Sequence, residues 1–413
     1  MSFFYFPFEF IALPGINTKM MLAVLGIIIF VIRMLSGSSK QVSRDFLILA
    51  FFVFCVSLVS LLSVVINRTP DLSYVSYWVS FTVWLSAAFA VSNIVWWVHG
   101  RIDIKLIISY LAGVCLFQCI ISLFIDNNEA VRDFVDSHFA LDQVLMHKIN
   151  RLYGIGAELD VAGVRFSLVL VGLSFFIGDS SSQNTFTERN YFIIAFMFIT
   201  IIGNMMARTT LIGTSIGLGV IILRLFYVTK KKGLGERGTV LLPLIGFLSL
   251  SIVISVLLYN ANEQARHLFR FAFEGFFSLV EEGHWATDST DKLQTMVVFP
   301  ETIHTWIIGD GYFMNSMYDP NYLGRATRWG YYMGTDVGYL RFIFYYGVVG
   351  LSAIMGVIIQ AAIFCMRRYP NEKLFFIMAL LVGLIVWFKV STDVFSFFAL
   401  FIAASSLKAE PAK

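Results

Sequence analysis

The sequence predicts an all-α polytopic membrane protein, with about eleven to twelve transmembrane helices and one large outward loop. Three observations carry this. Hydrophobic residues fill 58% of the 413 positions while charged residues fill only 14%, and mean hydropathy is +0.77. A soluble domain sits nearer ~25% charged. The apolar runs reach about 20 residues, enough to cross ~30 Å of hydrocarbon as a helix. They are continuous rather than alternating, which argues against an outer-membrane barrel.

Eleven spans follow from the runs, at roughly 19–35, 46–66, 73–98, 106–125, 161–178, 191–207, 209–228, 239–259, 336–365, 374–388 and 394–406. Residues 2–14 are apolar but short and carry Glu9 and Pro14, so they lie at the interface or complete a twelfth span. The last two spans are short, broken by Lys389 and Asp393, and read as a tight hairpin. The whole of 1–413 reads as a single integral membrane domain. No basic start precedes the first apolar run, so there is no sign of a cleaved signal peptide.

Charge sets the orientation. One set of connections and the C-terminal tail hold 16 basic and seven acidic residues, a balance of +9, leaving −6 on the other side. Lys230, Lys231, Lys232, Arg367 and Arg368 are the densest part of the basic side. The positive-inside rule makes that side cytoplasmic. Two long loops, 126–160 and 260–335, then face outward. The cytoplasmic connections are all short, which leaves no room for a nucleotide-binding domain.

The first outer loop holds an amphipathic stretch from Val131 to Leu152, with Val131, Phe134, Val135, Leu145, Ile149 and Leu152 at helical spacing. Arg151 and Arg165 flank the glycine-bearing segment 151–163. Spans six and seven meet almost without a loop at NMMARTTLIGTSIGLG (204–219), which puts Arg208 at an outward hairpin turn. Partial desolvation is costly for an arginine there. Its bland role is a snorkelling anchor for lipid headgroups. Gly213 and Gly217 form a small-xxx-small pair that admits a neighbouring helix.

The large loop opens with residues 261–283, which read as one amphipathic helix. Glu263, Arg266, Arg270 and Glu274 fall on one stripe, and Phe269, Phe273, Phe276, Phe277 and Val280 on another. Such charges pair among themselves on a solvated face. Two arginines one turn apart also suit adjacent phosphates, because the guanidinium is forked and keeps its charge. STDKLQTMVVF (289–299) reads as a short helix capped by Ser289. Beyond it, 306–334 is dense in turn residues and aromatics, among them Tyr312, Tyr318, Tyr322 and Trp329, with Arg325 and Arg328. Aromatic rings in a polar loop suit carbohydrate, although belts of Tyr and Trp also mark any membrane interface.

Several chemistries are excluded. There is no Walker loop, glycine fingerprint, HExxH or GxSxG elbow, and no nucleic-acid signature. The four cysteines fall in or at the ends of apolar runs, so neither a disulfide framework nor a zinc site is expected. No metal and no cofactor is expected. An enzyme of this kind needs a donor that is already activated and already in the membrane, and a polyprenyl pyrophosphate sugar fits. Fixed arginine charge stabilises its leaving group, and the acceptor hydroxyl benefits from a base. Asp336, at the mouth of span nine, is the first candidate and His304 the second. Each has a bland alternative, a carboxylate at a helix N-terminus and an ordinary loop histidine.

The span count, the dominant outer loop between the eighth and ninth spans and the hairpin arginine resemble the bacterial O-antigen polymerase and ligase superfamily. The motifs that carry this are MMARTTLIGTSIGL (205–218), IIGDGYF (307–313) and TDVGYLRFIFYYGVVG (335–350), and the resemblance is best over 126–365. It implies a metal-independent, inverting, GT-C-like glycosyltransferase of the bacterial inner (cytoplasmic) membrane with its site facing the periplasm. Its donor would be undecaprenyl-pyrophosphate-linked oligosaccharide. Its partners would be membrane lipids and a chain-length regulator protein, with no nucleic acid. Arg208 matches the family's hairpin arginine, and Arg266 or Arg270 the arginine of the large loop, both expected at pyrophosphate. Arg151, Arg165, Arg341, Tyr312 and Tyr339 are expected at the substrate rim. Ligases carry a histidine where this chain has Asp336, which favours a Wzy-type polymerase over a ligase. A lipid-linked oligosaccharide transporter is the remaining alternative, and no internal repeat supports it.

Overall fold

Long apolar runs fold as helices because nothing in a bilayer can satisfy backbone polar groups except the helix itself. The computed structural model describes residues 1–36, 43–140, 151–157, 159–178, 186–232, 234–314 and 330–407, without the side chains of 186 and 227–240. In chain order the helices are α1 (Ser2–Tyr5), α2 (Thr18–Leu35), α3 (Arg44–Asn67), α4 (Tyr77–His99), α5 (Ile104–Asn127) and α6 (Glu129–His138). There follow α7 (Leu159–Ile177), α8 (Phe186–Met206), α9 (Thr210–Lys232), α10 (Leu234–Ala261), α11 (Glu263–Ala272) and α12 (Glu274–Glu281). The last are α13 (Asp288–Thr295), α14 (Ile303–Ile307), α15 (Gly338–Arg368), α16 (Lys373–Val386) and α17 (Phe395–Leu407). No β-strand occurs among the described residues, only isolated bridges.

Each of the eleven expected spans coincides with a helix. Eight of them are long and apolar enough to cross a membrane: α2, α3, α4, α5, α7, α8, α10 and α15. The described apolar part of α9, Thr210–Phe226, is shorter, as are α16 and α17. The chain is a polytopic α-helical protein with at least these eight candidate membrane helices.

Contacts divide the chain into two compact units. The first comprises Met1–Met21 and Val95–Ala286. Its centre is α7, whose apolar window is 83% buried. Small residues explain the burial. A Cβ on Gly213 of α9 would overlap the Ser167 backbone, and the Gly213 amide donates to Ser167 Oγ at 3.1 Å. Gly217 likewise leaves room for Phe196 of α8. The small-xxx-small pair therefore works within the chain, seating α9 on α7 and α8.

At the other extreme, none of the apolar window of α10 (Leu241–Ala261) is buried. A helix apolar on every side that touches α8, α9 and α11 without burying any residue of that window fully has lipid for much of its solvent. Residues 2–14 are not a twelfth span. Only Ser2–Tyr5 is helical, and Phe4, Tyr5 and Phe6 are buried. Tyr5 Oη donates to the Arg165 carbonyl at 2.7 Å, and Pro7 keeps the helix from lengthening.

The second unit comprises Leu22–Ile94 and Thr287–Lys413. In it α15 packs along α3 and against α16 and α17. Backbone angles at Tyr346 and Gly347 (φ 68°, ψ −175°) break α15 two turns from its start. The IIGDGYF segment fills that break. Asp310 and Gly311 amides donate to the Phe344 and Tyr345 carbonyls at 2.6 and 3.1 Å. Ser63 Oγ also donates to the Tyr345 carbonyl, at 2.7 Å. Asn67 Nδ2 and Thr69 Oγ1 donate to the Gly309 and Gly311 carbonyls at 2.9 and 2.8 Å. Backbone groups freed by the break are thus satisfied by protein, as burial requires.

Two local expectations need correction. Residues 261–283 are not one helix: Phe273 (φ −120°, ψ 27°) separates α11 from α12. The cap of α13 is Thr287, whose side chain accepts from the Thr290 amide, and not Ser289. The expected 131–152 amphipathic stretch is helical to His138, and its continuation at 141–150 lies outside the described residues. So do Tyr318, Tyr322, Arg325, Arg328 and Trp329.

Candidate functional site

The predicted site residues fall into two clusters, one in each unit. In the first unit the turn between α8 and α9 is only three residues long, so Arg208 has little freedom. Its guanidinium pairs with Glu274, the first residue of α12, and lies 4.5 Å from the ring centroid of Phe271. The Arg151 guanidinium lies at the same distance from the same ring. Phe271 therefore serves two cations at once, through the negative face of its π system. Thr209 Oγ1, beside Arg208, donates to Asp160. Burial depresses the pKa of Arg151, and the charge of Asp160 opposes that shift.

Arg151 also lines a cavity of about 360 Å³ with Arg132, His267, Gln264, Asp126 and Tyr153. Arg132 donates to the Ile125 and Asp126 carbonyls at 3.2 and 2.6 Å, closing the end of α5. Tyr153 Oη donates to Asp136 at 3.1 Å, and burial followed by that carboxylate's charge and hydrogen bond raises its pKa. Cations, a carboxylate, a neutral amide and a phenol around a cavity of that volume suit a phosphate or a sugar.

Arg266 and Arg270 have different partners from Arg208. Arg266 Nε donates to the Tyr259 carbonyl at 3.2 Å, and Arg270 Nε to Tyr259 Oη at 3.2 Å. Arg270 also pairs with Glu281, and both arginines are solvent-exposed. The stripe imagined on one helix is divided by the break at Phe273, which carries Glu274 to Arg208 and leaves Arg270 to Glu281. Arg165 sits 5.4 Å from the Phe6 ring and donates to the Gly156 carbonyl at 3.4 Å.

In the second unit Arg341 is 5% exposed. Its guanidinium is 3.7 Å from the Tyr331 ring centroid and 3.8 Å from that of Phe313. Nη1 donates to Ser391 Oγ at 2.8 Å and lies 3.7 Å from Asp336 Oδ1. Asp336, at 22% side-chain exposure, keeps contact with water while a fixed cation stands beside it. His304 is exposed, and its Nε2 meets Asn67 Oδ1 at 2.9 Å. Tyr312 belongs to the core and not to a rim: it is 3% exposed and stacks on Tyr332 at 5.3 Å. Tyr339 Oη donates to the Leu384 carbonyl at 2.8 Å.

Sequence reasoning missed Phe271, Asp160, Arg132 and His267 in the first cluster, and Asp71 and Asp393 in the second. Asp71 accepts from the Phe313 amide at 2.7 Å, and Asp393 accepts from Tyr77 Oη at 2.6 Å. The Tyr74 phenol close by is raised well above its usual range by burial first and then by the charge of Asp393. A loop aspartate next to a span was the available signal for both carboxylates. Nothing marked Phe271 among 42 phenylalanines. Comparison with protein-family models, with curated proteins and with solved structures gives no match.

Proposed function

We propose that the chain is a Wzy-type polymerase, joining undecaprenyl-pyrophosphate-linked oligosaccharide repeat units at the outer face of the cytoplasmic membrane. The observation that carries this reading is the pair of guanidiniums, Arg208 and Arg151, gathered on Phe271 at a hairpin end. Two fixed cations beside a polar cavity provide for a doubly charged leaving group without a nucleotide site. Arg208 and Arg151 hold the donor pyrophosphate. Arg266 and Arg270 are exposed and serve only as an outer approach.

In the reaction the acceptor's hydroxyl oxygen attacks the anomeric carbon of the donor sugar. The bond from that carbon to the pyrophosphate oxygen breaks with its electron pair, and the configuration inverts. The hydroxyl proton passes to a base, the role for which the sequence offers Asp336 as first candidate. His304, hydrogen-bonded to Asn67, is the second choice for this role.

Deleting the gene in its native host and resolving the surface glycan on gels tests the reading. A polymerase mutant leaves core bearing one repeat unit. Bare core with polymer stranded on the carrier lipid would instead identify a ligase, and single units trapped inside would identify a transporter. Complementation with Arg208→Ala is expected to give no long chains at normal protein levels. Chains of normal length would remove Arg208 from the site.

A further inference from the structure

The helices α11 and α12, on either side of the break at Phe273, treat their apolar residues in opposite ways. α11 buries Leu268, Phe269 and Ala272 and leaves Glu263, Arg266 and Arg270 in solvent. α12 does the reverse. Gly275 and Ser278 are its buried residues, whereas Val280 is 85% exposed and Phe276 and Leu279 are half-exposed. These three recur at three- and four-residue steps and form one arc of the helix. Trp285, also half-exposed, adds to it. Its indole folds back on Gly275, where a Cβ would overlap the ring, and meets Phe276 edge-on at 5.2 Å. The Ala286 amide fastens that turn by donating to Ser278 Oγ at 3.0 Å.

What covers the arc is argued from its place beside α10. Phe277 stacks on Tyr259 at 5.9 Å, and Tyr259 belongs to the last turn of α10. Arg270 ties the two together, donating to Tyr259 Oη and pairing with Glu281 of α12. One and two turns back along α10, Val253, Val256 and Leu257 are exposed in the window of which nothing is buried. The arc therefore begins beside the end of a lipid-facing stretch, where hydrocarbon gives way to headgroups. Four side chains make too small a patch for a specific protein interface, which buries upward of ~1,200 Å² in all. A lipid surface sets no such minimum, and Trp, Phe and Leu are the residues that enter it. Charge on α12 is settled within the protein, because Glu274 pairs with Arg208 and Glu281 with Arg270. α12 itself has no lysine or arginine to seek anionic headgroups.

We propose that α12 and Trp285 form an interfacial anchor, with Phe276, Leu279 and Val280 immersed in the acyl chains of the leaflet where α10 ends. Burial of apolar area drives the immersion, so ordinary zwitterionic lipid suffices and anionic lipid adds nothing. Glu274, which holds Arg208, is the first residue of this helix. The ion pair at the hairpin is thereby fastened to the bilayer surface, whatever reaction the chain performs.

The test uses the full chain in phosphatidylcholine nanodiscs, with Cys55, Cys115, Cys119 and Cys365 replaced by Ser or Ala. A nitroxide is placed on Leu279→Cys or Val280→Cys, and on Glu263→Cys of α11 as the aqueous control. Collisions with oxygen, which favours hydrocarbon, are compared with those of a water-soluble nickel chelate. The oxygen-to-nickel ratio at 279 and 280 is expected to exceed that at 263 by at least ~5-fold and to stay unchanged when phosphatidylglycerol is added. Equal ratios would overturn the proposal by leaving the arc in water. Immersion only with phosphatidylglycerol would overturn it in favour of electrostatic attachment. Few collisions with either reagent would also overturn it, since protein would then cover the arc, and spin–spin broadening would identify that protein as a second copy. The unaltered chain gives a second measurement, with phosphatidylcholine carrying a diazirine in its acyl chain. Label is expected on 276–285 as well as on 241–261, and label on 241–261 alone would overturn the proposal without any substitution.

Discussion

Phe271 sits where two like charges would otherwise repel. With Arg208 and Arg151 each 4.5 Å from its centroid, the ring offsets part of the cost of gathering them. A cation–π contact contributes ~0.5–2 kcal/mol, more as it is desolvated. Phe271→Leu keeps the apolar bulk and removes the π face. It is expected to lower the Tm in detergent by a few degrees and to weaken the proposed binding of polyprenyl pyrophosphate roughly 2- to 30-fold, the equivalent of that energy. An unchanged Tm and affinity would reduce the ring to filling. At this scale the sequence exposed Arg208 well, because an arginine in a three-residue turn between apolar runs has few places to go. It misjudged Arg266 and Arg270, because periodicity assumes an unbroken helix and only Gly275, two residues on, stands near the break at Phe273.

Among the elements, α15 depends on a loop outside itself. Gly347 adopts φ 68°, and a Cβ there would overlap the Ile307 carbonyl. Gly309, with φ 83°, approaches the Tyr345–Tyr346 peptide from the other side. Left-handed backbone costs a non-glycine residue ~1–2 kcal/mol before any overlap is counted. Gly347→Ala is therefore expected to cost more than that, read as a clear fall in Tm and in yield of folded protein. Gly219→Ala, at a helical glycine with nothing within 4 Å, serves as the control and is expected to match the native chain. Equal Tm values for the two variants would remove the loop's seal on α15.

The helices themselves were legible to within a few residues, since hydropathy and length determine a span almost alone. The break was not. It is created by pairing between 309–311 and 344–347, and a window sliding along one run cannot register hydrogen bonds to another. Asp71 and Asp393 were hidden for the same reason: their partners are 242 and 316 residues away.

For the whole molecule, charge distribution makes a prediction of orientation. By the positive-inside rule the +9 and −6 split predicts Arg101 on the cytoplasmic side and Asp133 on the opposite side. In a background with Cys55, Cys115, Cys119 and Cys365 replaced by Ser or Ala, Asp133→Cys is expected to react with a membrane-impermeant maleimide in spheroplasts. Arg101→Cys should react only after the membrane is permeabilised. The opposite pattern would invert the topology and place the Arg208 turn in the cytoplasm.

The unburied state of α10 has a consequence of its own. Its apolar stretch, Leu241–Ala261, measures about 31 Å at ~1.5 Å per residue, a close match to the hydrocarbon thickness. A helix longer than the local bilayer tilts, and a shorter one draws the bilayer thinner. Since protein holds α10 on so little of its surface, membrane thickness and lateral pressure set its lean, and the lean sets the gap to α8. The lipid mixture around the protein thus acts on it mechanically, as a spring against its least supported helix.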